Sequence, residues 1–128
     1  MTKKIIETSH APAPIGPYSQ AVQVGSLLFC SGQVAIDPAT NQVVLGSITE
    51  QTTLVMKNIE AVLKQAGVTF QNVVKTTIFL TDMKDFPAVN EIYGSYFKVQ
   101  PPARSTVAVS GLPKGVQVEI EVIASLTN

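Results

Sequence analysis

Apolar and polar positions along this chain follow two different periods, and the switches between them predict its elements. From Val116 to Val122 every second residue is apolar, while Gln117, Glu119 and Glu121 fill the alternate positions. That is the period-two signature of a strand with one face buried. Val73 to Leu80, "VVKTTIFL", is rich in β-branched and large apolar residues and predicts another strand. Ala21–Val24 and Leu27–Ser31 predict a hairpin closed at Gly25-Ser26, and Ile5-Ile6 an edge strand. Asp37 to Asn41 is turn chemistry, and Ala11 to Pro17 a proline-set extended segment. Arg104–Val109 and Val116–Ala124 predict the last two strands.

The helical period appears twice. Val55, Ile59, Val62, Leu63 and Ala66 form one apolar stripe, Ser47 and Glu50 have the spacing of a capping box, and Gly67 is a stop signal. A second helix is predicted from near Asp85, with Pro87 in its first turn, through Val89, Ile92, Tyr93, Tyr96 and Phe97. Pro101-Pro102 excludes its continuation. The order of elements predicts a single α+β domain over residues 1–128, with two helices packed on one face of a mostly antiparallel or mixed sheet.

Composition changes this picture in one respect. Hydrophobic residues make up 45% and charged residues only 14% of 128 residues, against about 25% charged in an ordinary soluble domain. So little charge covers a small surface poorly, which points to a homo-oligomer. A formal net charge of zero, with no basic run, argues against nucleic acid as a main partner. Residues 8–36 carry no charge, but prolines, glycines and glutamines break the stretch into something other than a spanning helix. Glu7 interrupts the only apolar start a signal peptide could use, so a soluble, cytoplasmic protein with no membrane partner is expected. The lone Cys30 lies in an apolar run and reads as a buried, inert thiol. With one cysteine and one histidine, His10, a metal site of the His/Cys type is not expected.

Arg104 is the only arginine, beside eight lysines. A guanidinium is a planar fork suited to carboxylates, which an ammonium is not. If the last two strands form a hairpin, Arg104, Thr106, Glu119 and Glu121 share one face. Two readings then stay open: a cross-strand ion pair worth about 0.2–1 kcal/mol on a wet face, or a cleft with a carboxylate-binding Arg and an acid/base Glu.

The motifs "PIGPYSQA" (14–21), "SGQ" (31–33), "TEQ" (49–51), "NVVKTTIFLTD" (72–82), "FPAVNEIYGSYF" (86–97), "PARS" (102–105) and "LPKGVQVEIEVIA" (112–124) occur in that order. With them the chain resembles the RidA (YjgF) family of reactive-intermediate deaminases over nearly its whole length. The resemblance implies a chorismate-mutase-like, six-stranded fold, a homotrimer with clefts between subunits, and no cofactor or metal. It implies hydrolysis of 2-iminobutanoate, 2-iminopropanoate and their enamine tautomers to 2-oxo acids and ammonia, in functional coupling to the pyridoxal-phosphate enzymes that release them. Arg104 matches the family's carboxylate-binding arginine and Glu119 the glutamate that positions or activates water. Tyr18, Gly32 and Asn90 match positions lining the cleft. Thr106 stands where many members carry cysteine, so a cysteine nucleophile there is not required, although its backbone N–H remains available to a ligand. On the residues alone Tyr18 also fits an edge cap, Asn90 a satisfied core amide and Gly32 a purely conformational glycine. Two other functions remain open: a non-enzymatic sensor or regulator that binds small carboxylates in the same cleft, and a ribonuclease, which the absent basic patch disfavours.

Overall fold

The computed structural model describes residues 2–127. Strands β1 (Lys4–Ile6), β2 (Ala21–Val24), β3 (Leu27–Gln33), β6 (Val73–Leu80), β7 (Ala103–Ala108) and β8 (Val118–Ser125) form one six-stranded sheet in the order β1-β2-β3-β8-β6-β7. Strands β4 (Ile36–Asp37) and β5 (Gln42–Val43) form a small separate hairpin. Helices α1 (Ile48–Gln65) and α2 (Phe86–Tyr96) pack on one face of the large sheet, giving the two-layer α+β architecture expected.

The first helix forms where its pattern places it. Ser47 Oγ accepts from the Glu50 N–H at 3.1 Å, and Glu50 Oε1 accepts from the Ser47 N–H at 3.3 Å, closing the capping box. Beyond its other end Gly67 takes φ +83°, the left-handed conformation that glycine accepts without strain. Val55, Met56, Ile59, Val62 and Leu63 are buried against Leu28, Ile78, Leu80, Val118, Ile120 and Val122 of the sheet. Tyr93 and Val89 of α2 close the other side of the same core.

The last two strands are not the hairpin expected from sequence. β7 pairs parallel with β6, and β6 pairs antiparallel with β8, so β6 lies between them. The cause is the helix between β6 and β7. A helical crossover returns the chain in the parallel direction, forming a βαβ unit. The turn at Pro113–Gly115, where Lys114 takes φ 58°, then leads the chain past β6 to its free edge.

This changes which residues share a face. Arg104 aligns with Thr76 and Val122, and Thr106 with Ile78 and Ile120, all on the helix-covered face. Glu119 aligns with Phe79 and Val107, and Glu121 with Thr77 and Ser105, on the open face. The expected grouping of Arg104 and Thr106 with the two glutamates is therefore corrected: they lie on opposite faces of the sheet.

The open face is unusually apolar. Ile5, Leu27, Phe29 and Val107 are each 39–48% exposed there, beside half-buried Val22, Val24, Phe79 and Ile123. None of the described residues covers them.

A candidate active site in two halves

The first half is built around Arg104 on the edge strand β7. Its guanidinium carbon lies 5.0 Å from the Tyr93 ring centroid and 5.3 Å from that of Phe86. Its Nη1 donates to Asn90 Oδ1 at 2.7 Å. Phe86, Asn90 and Tyr93 follow one another at i, i+4 and i+7, so one stripe of α2 supplies all three contacts. Tyr93 is itself fixed by a buried 2.8 Å hydrogen bond between its hydroxyl and Thr76 Oγ1. Burial raises the Tyr93 pKa, with the Thr76 bond and the Arg104 charge acting in the opposite direction, so the phenol stays neutral. Among the described residues Arg104 has no carboxylate partner. The ion-pair reading of this arginine is thereby set aside. Its stacked, exposed fork borders a cavity of about 420 Å³ lined by Asn90, Tyr93, Gly94, Phe97, Pro101 and Pro102.

A larger groove, about 850 Å³, runs between α1 and the segment around Thr8 and His10. It contains none of the candidate catalytic residues, so the smaller cavity is the candidate site.

Thr106 lies two positions along β7 on the same face as Arg104. Its Oγ1 is shielded from solvent and has no hydrogen-bond partner. Asn90 is exposed and engaged with Arg104 rather than being a core amide.

The second half lies on the open face, where β3 meets β8. Cys30 pairs with Val122 and Gln33 with Ile120, so Ser31 and Gly32 together oppose Glu121 as a β-bulge. The Glu119 side chain crosses this bulge. A Cβ built on Gly32 would fall 2.9 Å from Glu119 Cγ and 2.8 Å from its Cδ, closer than side-chain carbons tolerate. Gly32 is thus glycine because a carboxylate rests on its backbone. Burial, and then the charge of Glu121, raise the Glu119 pKa above 4.5. Arg104 of the same chain lies on the other face and does not contribute.

Tyr18 stands on the irregular segment leading into β2 and is 52% exposed. Cys30, on the helix face, is 8% exposed, and desolvation pushes its thiol up to about 12, so it is inert as expected. No helix among the described residues is long and apolar enough to cross a membrane, and no cluster of three or more His, Cys, Asp or Glu is placed to hold a metal ion.

Within one chain the two halves do not meet. Arg104 is two strand positions from Glu119, about 10 Å across the sheet, and on its other face. Tyr18 enters the sheet four strand positions from β7, about 19 Å away.

Residues 8–126 match the sequence profile of the endoribonuclease L-PSP family. The 2-iminobutanoate/2-iminopropanoate deaminase of Mus musculus is 52% identical over 122 residues, covering 95% of this chain and 90% of the mouse protein. This chain belongs to the Rid family. Among solved structures, the conserved Rid family protein YyfA of Yersinia pestis superposes with a TM-score of 0.95 at 54% identity, covering 97% of this chain and 99% of that one. TdcF of E. coli, solved with bound serine, gives 0.91 at 42% identity, covering 95% and 98%. The fold of this Rid protein, with its mixed sheet and two helices, is that of these relatives.

Sequence reasoning missed Phe86 and Tyr93 as the flanks of Arg104. Their spacing with Asn90 on one helix stripe was the available signal.

Proposed function

We propose that this Rid protein hydrolyses short, reactive 2-imino acids, 2-iminobutanoate and 2-iminopropanoate, and their enamine tautomers, to 2-oxo acids and ammonia. The observation that carries this reading is Arg104: a guanidinium set over two rings of α2, steadied by one amide, exposed beside a cavity and free of any carboxylate among the described residues. Such a fork is preorganised for a small planar anion. The deaminase name of the mouse relative and the serine bound to TdcF support a small carboxylate of amino-acid type.

The chemistry is within reach of these groups. Arg104 would hold the substrate carboxylate beside Asn90, orienting the adjacent C=N carbon. Tyr18, Gly32 and Thr106 would line the remaining wall, Thr106 through its backbone N–H, since its hydroxyl is shielded. Water adds to the carbon of the protonated imine, and Glu119 accepts the proton that water loses. Glu119 then returns that proton to nitrogen, the carbinolamine hydroxyl gives its own proton to the carboxylate as the C=O bond forms, the C–N bond breaks and ammonia leaves. A carboxylate whose pKa is raised by burial is suited to taking and returning one proton, a role typically worth 10²–10⁴-fold. This scheme uses no cofactor.

Both halves can reach one substrate only if two copies of the chain contribute, Arg104 from one and the Glu119–Gly32 bulge with Tyr18 from its neighbour. The apolar open face supplies a surface for that association, and a homotrimer is the assembly proposed. The substrate's origin in pyridoxal-phosphate enzymes implies functional coupling to them in the cytoplasm.

The deciding measurement is 2-oxobutanoate formation in a threonine dehydratase coupled assay. The parent protein accelerates it, and Arg104→Ala, still folded, loses the acceleration. Equal acceleration by the variant would refute the clamp. Ligand binding by the parent without turnover would leave only a carboxylate-binding protein.

A further inference from the structure

The segment between β1 and β2 has neither helix nor strand, yet it must present Tyr18 in one place. Its order comes from one buried side chain. Gln20 is 3% exposed, and its carboxamide makes four contacts to the segment's start. Oε1 accepts from the Thr8 N–H at 2.7 Å. Nε2 donates to the carbonyls of Thr8 at 3.0 Å and Pro12 at 2.9 Å, with a longer 3.3 Å contact to Ala11. The donor on Thr8 and the acceptors beside Nε2 fix which way the amide faces. This clasp ties residue 20 to residue 8 and closes the intervening chain into a ring.

A second tie holds the ring to the sheet. Ser31 Oγ donates to Ser19 O at 2.6 Å, and the Ser31 N–H to Gln20 O at 2.9 Å. Ser31 is the bulge residue next to Gly32, over which Glu119 lies. Inside the ring the Tyr18 N–H bonds to Gly16 O at 2.8 Å, and the Tyr18 ring lies against Gly16, whose Cβ would sit 3.7 Å from it. The phenol's direction therefore follows the ring's conformation, and the ring is anchored on the same bulge that supports the glutamate.

We propose that Gln20 and Ser31 are positioning residues that act through Tyr18: Gln20 clasps the 8–20 segment shut, Ser31 fastens it to the Glu119 bulge, and together they fix Tyr18 relative to the proton-transfer carboxylate. This rests on the function proposed above for Tyr18 and Glu119. Neither residue needs to touch substrate. Gln20 is fully occupied by backbone groups, and a carboxamide placed this way has no proton to give at ordinary pH.

The experiment combines a local and a kinetic readout on the full chain. Amide hydrogen exchange is measured for the parent, Gln20→Leu and Ser31→Ala. Faster exchange confined to residues 8–20, with α1 and β8 unchanged, is expected. Unchanged exchange in the segment overturns the clasp, whether or not the protein proves to be an imine hydrolase. Imine hydrolysis is then measured in a double-mutant cycle with Tyr18→Ala. Gln20→Leu should lower kcat/KM by roughly tenfold or more when Tyr18 is present, and Ser31→Ala by less. Both effects should vanish when Tyr18 is already alanine. An equal loss with and without Tyr18 would mean a merely structural role and would overturn the proposal. Ser31→Ala, which removes one side-chain bond, decides the matter alone if Gln20→Leu does not fold. A parent with no hydrolytic activity refutes the proposed function instead, and the exchange measurement still judges the clasp.

Discussion

Arg104 and Glu119 could both be singled out from sequence, but the reasons they stand where they do could not. The arginine is conspicuous because it is alone among lysines. What makes it available is a stripe of α2 that stacks and steadies it without neutralising it. The glutamate's alternation with valine and isoleucine looked like an ordinary wet strand. Its side chain crosses a bulge on β3, adjacent in the sheet but five strands earlier in the chain, and a bulge leaves no mark on local periodicity. Glu119 also yields a stability prediction. Its folded pKa lies above 4.5, so the native protein binds this proton more tightly than the unfolded chain does. The contribution of Glu119 is therefore fully present below the unfolded value and is lost as pH rises through the folded one. Glu119→Gln removes that pH-dependent cost. It should raise the thermal midpoint at pH 7 and leave it nearly unchanged at about pH 3.5, while abolishing the proposed imine hydrolysis. Thermal melts of the two proteins across this range test it; a variant that melts lower at pH 7 would contradict the assigned burial cost.

At the level of elements, local signals translated directly into structure. The Ser47–Glu50 box, the helical stripe, the Gly25 turn and the Val73–Leu80 strand all form where their chemistry places them, because each depends on neighbours in sequence. Ser47→Ala should cost about 1 kcal/mol of stability, since it leaves the Glu50 N–H without its acceptor. Chemical denaturation measures this, and kcat/KM should not change. Pairing was another matter. β7 and β8 are consecutive strands with matched alternation, and adjacency in sequence suggested a hairpin. The chain instead threads β6 between them, because the crossover helix commits β7 to the parallel direction first. That non-local choice decides the faces on which Arg104 and Glu119 lie, so the site could be listed by residue from sequence but not assembled.

For the whole molecule, low charge content was the sequence's clearest statement about assembly, and the exposed Phe29, Leu27 and Val107 give it a location. If the proposed assembly forms each site from two copies, Phe29→Asp should dissociate it in sedimentation and abolish the proposed hydrolysis together. Subunit mixing makes a sharper test. On the proposed mechanism Arg104→Ala and Glu119→Gln should each be inactive, but after exchange in a head-to-tail ring roughly one cleft in four should receive an intact Arg104 from one copy and an intact Glu119 from the other, by random assortment. Recovery of about a quarter of the parent's activity is expected. No recovery despite proven exchange would place both residues in the same chain's site.

The extra residue at Ser31–Gly32 has a consequence for how this protein tolerates change. With Gly32 deleted, Cys30 and Gln33 keep their partners on β8, and the ladder between them becomes regular. Such a chain should fold as readily as its parent and melt no lower, yet Glu119 loses the bare backbone on which it rests. The sheet is left uneven at the place where evenness would take that support from the proposed proton acceptor.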